Sequence, residues 1–212
     1  MSTHLVWDWN GTLFHDVEAV VAATNATFAA HGLPPVTLER YRALATMPIP
    51  VFYERLIGRP LAEGEWDVLD TLFHEHYELE RVRCGLAAGA AELLAGWDEA
   101  GHTQSLLSMW HHESLVALVD SLGLAPHFVR VDGRLGPNGG HKAEHLVRHL
   151  KALDRDPAGV VVVGDSIDDA WAAQHVGARS VLHTGGFYSR ETLETAGVPV
   201  VDSLAEAVAL AR

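Results

Sequence analysis

Cysteine is almost absent from this chain of 212 residues. Its single copy, Cys84, excludes an internal disulfide, and a reducing cytoplasm is the simplest setting. Lysine is nearly as scarce. Of 15 basic residues only Lys142 and Lys151 are lysines, and the rest are arginines. No apolar run approaches the roughly 20 residues that a membrane span needs. The N-terminus lacks the basic stretch and long apolar run of a secretory signal. There is no internal repeat and no low-complexity tract. Positive charge is in deficit overall, with a formal net charge of −13. That balance argues against nucleic-acid or acidic-membrane partners, which normally require a basic surface. It also means that a phosphorylated ligand would need positive charge supplied locally.

Against these absences, Asp8 stands out. It ends the short apolar run Leu5-Val6-Trp7 and precedes Trp9-Asn10-Gly11-Thr12-Leu13. The run is too short for a helix, and Gly11-Thr12 marks a turn, so the segment reads as a buried strand feeding a loop. A second strand with an acidic end follows far downstream, Val160-Val161-Val162-Val163-Gly164-Asp165-Ser166-Ile167-Asp168-Asp169. In an α/β sheet, ligands collect where strands run out. Two strands delivering carboxylates to one edge suggest a hard metal ion and a phosphate.

Between these strands the periodicity changes once. Residues 16–82 read as helical throughout, with Val17, Val20, Val21, Thr24 and Phe28 on one face and Pro34-Pro35 as a break. Further helices are predicted at 38–45, 51–57 and 65–81. From residue 86 helices alternate with strands, the strands at 104–107, 128–131, 160–163, 180–182 and 198–201. Alternation of this kind predicts an α/β fold with a parallel sheet covered on both faces. The four consecutive valines suit a strand buried on both sides. The expected division is therefore a three-layer, Rossmann-like core (1–15 and 83–212) with an inserted all-helical cap (16–82).

Four pieces line up in chain order: Asp8 to Thr12, Ser108 at a strand end, Lys142 opening a helix, and Gly164-Asp165 through Asp169. This constellation resembles the haloacid dehalogenase superfamily, and within it the phosphoglycolate-phosphatase-like group. The resemblance spans essentially the whole chain. It implies hydrolysis of a small phosphorylated metabolite with Asp8 as nucleophile, forming an aspartyl-phosphate. It implies Mg²⁺ held by Asp8, the backbone carbonyl of Asn10 and Asp165, with Asp169 in or just beyond the metal shell. Asp168 falls at a variable place in the motif. Ser108 would hydrogen-bond a phosphate oxygen, with the amides of Trp9 and Met109 nearby. Lys142 would pair with both the phosphate and Asp8. Mg²⁺ and Lys142 together would create the local positive hole that an acidic protein needs.

One position departs from the pattern. Family phosphatases usually carry a second Asp two residues after the nucleophile, which protonates the leaving oxygen and then activates water. Here it is Asn10, and an amide cannot exchange a proton in this way. Loss of a general acid/base typically costs about 10²–10⁴ in rate. Three readings follow: a phosphatase with another proton donor, His15 and Asp16 being candidates by position; an attenuated or noncatalytic binder of phosphorylated ligands; or a non-phosphatase hydrolase. Among the last, phosphonoacetaldehyde hydrolysis needs a cap lysine, and this cap has none. Dehalogenation needs no metal, and the retained Asp165 and Asp169 count against it. Asn10-Gly11 is also prone to deamidation, which would convert Asn10 to Asp with time.

The remaining chemistry-bearing residues have plainer readings. His141, His145 and His149 recur every fourth residue and read as a solvated helix face, as do His74 and His76. No second ligand set converges with them to make a zinc site. His111 and His112 could equally line a pocket or simply pack. Trp7 and Trp9 are expected to pack away from the face of Asp8. Cys84 reads as a small buried filler where cap meets core.

Overall fold

The computed structural model describes residues 3–136 and 140–212. The strands are β1 (His4–Trp7), β2 (Phe14–His15), β3 (Gly85–Leu86), β4 (Thr103–His111), β5 (Val131–Arg134), β6 (Val160–Gly164), β7 (Arg179–His183) and β8 (Val200–Val201). The helices are α1 (Val17–Ala30), α2 (Leu38–Leu44), α3 (Ile49–Ile57), α4 (Glu65–Glu80), α5 (Ala90–Glu99), α6 (His112–Ser121), α7 (Lys142–Ala152), α8 (Ile167–Val176), α9 (Arg190–Glu194) and α10 (Leu204–Ala211). None of them is long and apolar enough to cross a membrane. The chain divides into two compact units. One comprises Met1–His15, Leu86–Gly186 and Arg190–Arg212; the other comprises Asp16–Gly85 with Phe187–Ser189.

The first unit is an α/β layer structure. Six strands pair in the order β5-β4-β1-β6-β7-β8, all in parallel. The chain leaves β1 toward β4 and β5, then returns to the other side of β1 for β6, β7 and β8. β1 therefore lies at the topological switch point, where the crevice for a ligand opens beyond the carboxyl ends of the strands. Val160, Val161, Val162 and Val163 are all essentially without solvent contact, as a strand covered on both faces must be. One face packs Val6, Leu107, Val160 and Val162 against Leu146 and Leu150 of α7 and Ala172 and Ala173 of α8. On the other face Trp7 Nε1 donates to Gln104 Oε1 at 2.9 Å, and Gln104 Nε2 donates to the Leu94 carbonyl of α5 at 2.8 Å. These bonds satisfy polar atoms that would otherwise be costly to bury.

The second unit is built from α1 to α4. Aromatic contacts fill it: Phe28 against Tyr53 at 5.8 Å and Tyr41 against Phe52 at 4.7 Å, both edge to face. Thr37 caps α2 by accepting from Arg40 N at 3.2 Å. Gly58 ends α3 at φ 80°, a left-handed conformation that suits glycine. Asp16, fully buried before α1, accepts from the Tyr77 hydroxyl at 2.6 Å.

Several strand boundaries differ from expectation. β4 runs on through Ser108 to His111 instead of stopping at Leu107, with a register shift against β5 between Leu107 and His111. β5 begins at Val131, not Phe128, because Ala125–His127 forms a 3-10 turn and the chain bends before pairing regularly. Its Asp132, Gly133 and Arg134 carry no apolar signal. The last strand keeps only Val200–Val201, since Pro199 has no amide to contribute. The two short strands β2 and β3, which pair with each other, carry no periodicity at all.

Candidate active site

Strand register explains how the acids meet. Trp7 is opposite both Leu106 of β4 and Val163 of β6. The Asp8 amide donates to the Val163 carbonyl at 2.9 Å. Asp8 therefore continues the ladder by one residue, and Asp165 emerges just beyond it on the neighbouring strand. Asp8, Asp165 and Asp169 are buried and each offers a carboxylate oxygen within 4.8 Å of the others. Thr12, fully buried, points its hydroxyl at both strands' acids, 3.5 Å from Asp8 Oδ2 and 3.4 Å from Asp165 Oδ1.

Lys142 enters this cluster from α7. Its Nζ lies 2.5 Å from Asp8 Oδ1 and 2.5 Å from Asp169 Oδ1, with only 3% of the residue exposed. Burial alone would discharge the ammonium, but the two carboxylates outweigh it and hold the amine charged, above its ordinary range. Burial raises the Asp8 carboxyl to about 6; Lys142 opposes the rise and Asp169 adds to it. Three buried carboxylates facing one buried ammonium leave excess negative charge. All-oxygen donors with a charge deficit of this kind fit a hard divalent cation.

Asp169 is the most heavily engaged of the three acids. Its Oδ1 takes Lys142, and its Oδ2 accepts from Ser166 N at 3.1 Å and Ser166 Oγ at 2.6 Å. Ser166 in return caps Asp169 N, a reciprocal capping box that fixes the start of α8. Asp168 lies in the first turn of α8 and caps the neighbouring helix. Its Oδ2 accepts the Lys142 amide at 2.9 Å, and His141 Nδ1 lies 3.2 Å from its Oδ1. Both carboxylates therefore converge on Lys142, one through its amine and one through its amide.

Two glycines give the acids room. A Cβ at Gly164 would lie 2.3 Å from Asp169 Oδ2, and one at Gly186 would lie 1.8 Å from Asp165 Oδ2. His183, at the end of β7, is buried beside the same loops. Its Nδ1 accepts from Gly185 N at 3.1 Å, and its buried Nε2 makes no hydrogen bond of ordinary geometry. Burial lowers its pKa to about 4, against the opposing influence of Asp169 and the Gly11 backbone.

The other expected site residues are placed as follows. Asn10 sits in the turn after β1, partly buried, bridged to Phe14. Trp9 is fully buried, its ring stacked on Phe14 at 5.3 Å. Ser108 lies inside β4, 2% exposed, and its Oγ accepts from Trp110 N at 3.0 Å. The Met109 carbonyl accepts from Arg134 Nε at 3.1 Å. His112 Nδ1 accepts from Gly133 N at 3.0 Å, and His111 is exposed. His15 is exposed, and Asp16 is engaged by Tyr77. Cys84 is half-buried, not buried. His149 overturns the solvated-face reading, because it is fully buried and hydrogen-bonded on both ring nitrogens.

The sequence reading left Thr12, Gly186 and His183 without roles. Thr12 stood in the quoted motif, and His183 ends an apolar run as Asp8 does. Gly186 carries no signal outside three dimensions.

A switch-point sheet with this acid cluster defines a hydrolase core, and residues 3–177 match the family model of haloacid dehalogenase-like hydrolases. The chain belongs to that family. Over 203 residues it is 29% identical to the phosphoglycolate phosphatase of Caulobacter vibrioides, covering 93% of this chain and 85% of that protein. Over 192 residues it is 25% identical to the N-acetylmuramic acid 6-phosphate phosphatase of Pseudomonas aeruginosa, covering 88% and 84% respectively. In fold it resembles a predicted phosphatase from Clostridium acetobutylicum, with a TM-score of 0.82, 17% identity, and 97% and 96% of the two chains covered.

Proposed function

We propose that this hydrolase is a Mg²⁺-dependent phosphatase that cleaves a small phosphomonoester in the cytoplasm through an aspartyl-phosphate on Asp8. The observation that carries this reading is the convergence of Asp8, Asp165 and Asp169 in one buried cluster, with Asp8 and Asp169 paired to the buried Lys142. When bound, Mg²⁺ would be held by Asp8, the Asn10 carbonyl and Asp165, with Asp169 in or just beyond its shell, and would neutralise phosphoryl charge. Asp8 attacks phosphorus with a carboxylate oxygen, and the ester oxygen departs. Lys142 holds Asp8 in position and offers positive charge to the incoming phosphoryl group. Ser108 and the amides of Trp9 and Met109 bind the remaining phosphate oxygens. Water then attacks phosphorus and releases Asp8. We assign the helical unit the part of a cap that excludes bulk water and shapes specificity.

Relatives named for phosphoglycolate and for N-acetylmuramic acid 6-phosphate align with most of this chain, which supports small phosphorylated metabolites as the substrate class. Asn10 favours a second reading, a binder of such metabolites with little turnover, because its amide cannot carry the proton that the leaving oxygen needs. A phosphate-release screen over sugar phosphates, nucleotides and phosphoglycolate separates the two. It is run with and without Mg²⁺ on the natural protein, Asp8→Asn and Asn10→Asp. Mg²⁺-dependent release, abolished in Asp8→Asn and raised in Asn10→Asp, supports an attenuated phosphatase. Thermal stabilisation by a phosphorylated ligand without release in any form supports the binder. Full activity in Asp8→Asn, with deamidation excluded by peptide mass spectrometry, refutes the nucleophile.

A further inference from the structure

A second buried polar assembly lies under α7, apart from the acid cluster. Arg155 Nη2 donates to Thr103 Oγ1 at 3.1 Å. Thr103 Oγ1 lies 2.8 Å from His4 Nδ1, and His4 Nε2 lies 2.8 Å from Ser105 Oγ. Ser105 Oγ lies 2.7 Å from His149 Nε2, and His149 Nδ1 lies 2.7 Å from Asp132 Oδ2. Arg130 Nε donates to that same oxygen at 2.5 Å. His4, Ser105 and His149 are 1%, 0% and 0% exposed, so water cannot complete their hydrogen bonding. Asp132, His149 and Ser105 reproduce the contacts of a serine-hydrolase triad. Complete burial of Ser105 keeps any substrate from it, so the assembly acts through position.

With both imidazoles neutral, donor and acceptor counting leaves the assembly one direction. Arginine can only donate, and ionised Asp132 can only accept. Thr103 accepts from Arg155 and passes its own proton to His4 Nδ1. His4 then carries its proton on Nε2 and gives it to Ser105 Oγ. Ser105 gives its proton to His149 Nε2, and His149 carries one on Nδ1 for Asp132. Every link is satisfied with both imidazoles neutral. A proton added at His149 Nε2 would turn the Ser105 hydroxyl back toward His4 and reverse the remaining links. The Thr103 hydroxyl would then accept from both Arg155 and His4, and its own proton would have to leave the chain for another acceptor. Arg130 already supplies Asp132 with a cation, so a charged His149 is not needed there.

We propose that this proton-ordered chain is a register lock on α7 and that His149 is a positioning residue for Lys142. The helix begins at Lys142, and His149 follows two turns later. Asp168 holds the first turn through the Lys142 amide, and the chain holds the far end to β1, β4 and β5. Leu146 and Leu150, between and beside these anchors, make apolar contacts that tolerate sliding. Directional hydrogen bonds do not. A shift of α7 along the sheet would carry Lys142 away from Asp8 and Asp169. The value of that placement rests on the function proposed above for Lys142, whereas the proton order does not.

Nitrogen-15 NMR of the imidazoles in the natural protein near neutral pH tests the order directly. The expected spectrum shows neutral His4 protonated on Nε2 and neutral His149 protonated on Nδ1. A charged His149, or either ring in the opposite tautomer, overturns the inference. The Lys142 ammonium signal tests the lock: it is expected to shift or broaden in Ser105→Ala and in His149→Leu, and an unmoved signal in both overturns it. In phosphate release, each variant is expected to lower kcat about tenfold or more, as small misplacements of catalytic groups do. The double variant is expected to be no worse than the poorer single, because both sever one chain. Multiplying losses overturn the shared role. If the natural protein releases no phosphate, the proposed function falls, and the two NMR readings still decide this inference.

Discussion

Gly186 should be among the least replaceable residues of this protein, although it bears no functional group. An alanine methyl there would stand 1.8 Å from Asp165 Oδ2, 2.2 Å from its Cγ and 2.3 Å from its Cβ. Ordinary contact needs about 3.5 Å, so either the Asp165 carboxylate or the Gly186 backbone must retreat by about 1.7 Å. Asp165 is 2% exposed at the end of a fully buried strand, which leaves its backbone little freedom to yield. Overpacking of this kind costs about 1–3 kcal/mol of stability. Its effect on the site is larger, because a misplacement of about 1 Å can cost about 10²-fold in rate. Titration calorimetry with Mg²⁺ on natural protein and Gly186→Ala is the direct assay, with the denaturation midpoint as control. The expected result is a folded protein, modestly destabilised, whose cation affinity falls at least tenfold. Unchanged affinity would refute the idea that this close approach sets the position of Asp165.

Lys142→Met keeps side-chain length and removes the charge, leaving Asp8 and Asp169 facing each other in a buried site. Stranding buried charges costs about 3–5 kcal/mol. Lys142 holds the Asp8 carboxyl down, so without the ammonium its folded-state pKa rises further and the penalty should grow from acid toward neutral pH; a pH-independent penalty in urea titrations would contradict this. His4 and His183 give the opposite dependence in the natural protein. Burial is the largest cause for both, and Arg155 and His149 add to it at His4; both pKa values sit at about 4 against an ordinary 6.5. The unfolded chain therefore binds more protons than the folded one between those values. Stability should hold above about 6.5 and fall as pH drops toward about 4, each histidine contributing up to roughly 3 kcal/mol. A flat denaturation midpoint across that window would exclude it.

The architecture was readable because its signals are contiguous. Val160–Val163 is an uninterrupted apolar run ending in acids, and the helical segment between residues 16 and 82 keeps one periodicity. Boundaries failed where local chemistry hides pairing, as in Asp132-Gly133-Arg134 of β5 and Ser108–His111 of β4. The acid cluster was legible because Asp8 and Asp165 each follow a strand. Lys142 was expected as the partner of Asp8, but the residues that make room for the acids or anchor Lys142 were not legible. Gly186 reaches Asp165 only through a loop that folds back, and Asp168 looks like a cap for its own helix until α7 is seen beside it. The histidine repeat misled because a four-residue spacing in a polar helix reads the same from either side. Only packing shows that His149 faces the sheet while His141 faces solvent.

The central claim is that Asp8 takes the phosphoryl group. Rapid acid quench during turnover, followed by peptide mapping with mass spectrometry, tests it most directly. The account predicts a phosphoryl adduct on the peptide carrying Asp8, at the Asp8 carboxylate and absent from Asp8→Asn. Turnover that proceeds with no adduct at any quench time, or with the adduct on another residue, would contradict it.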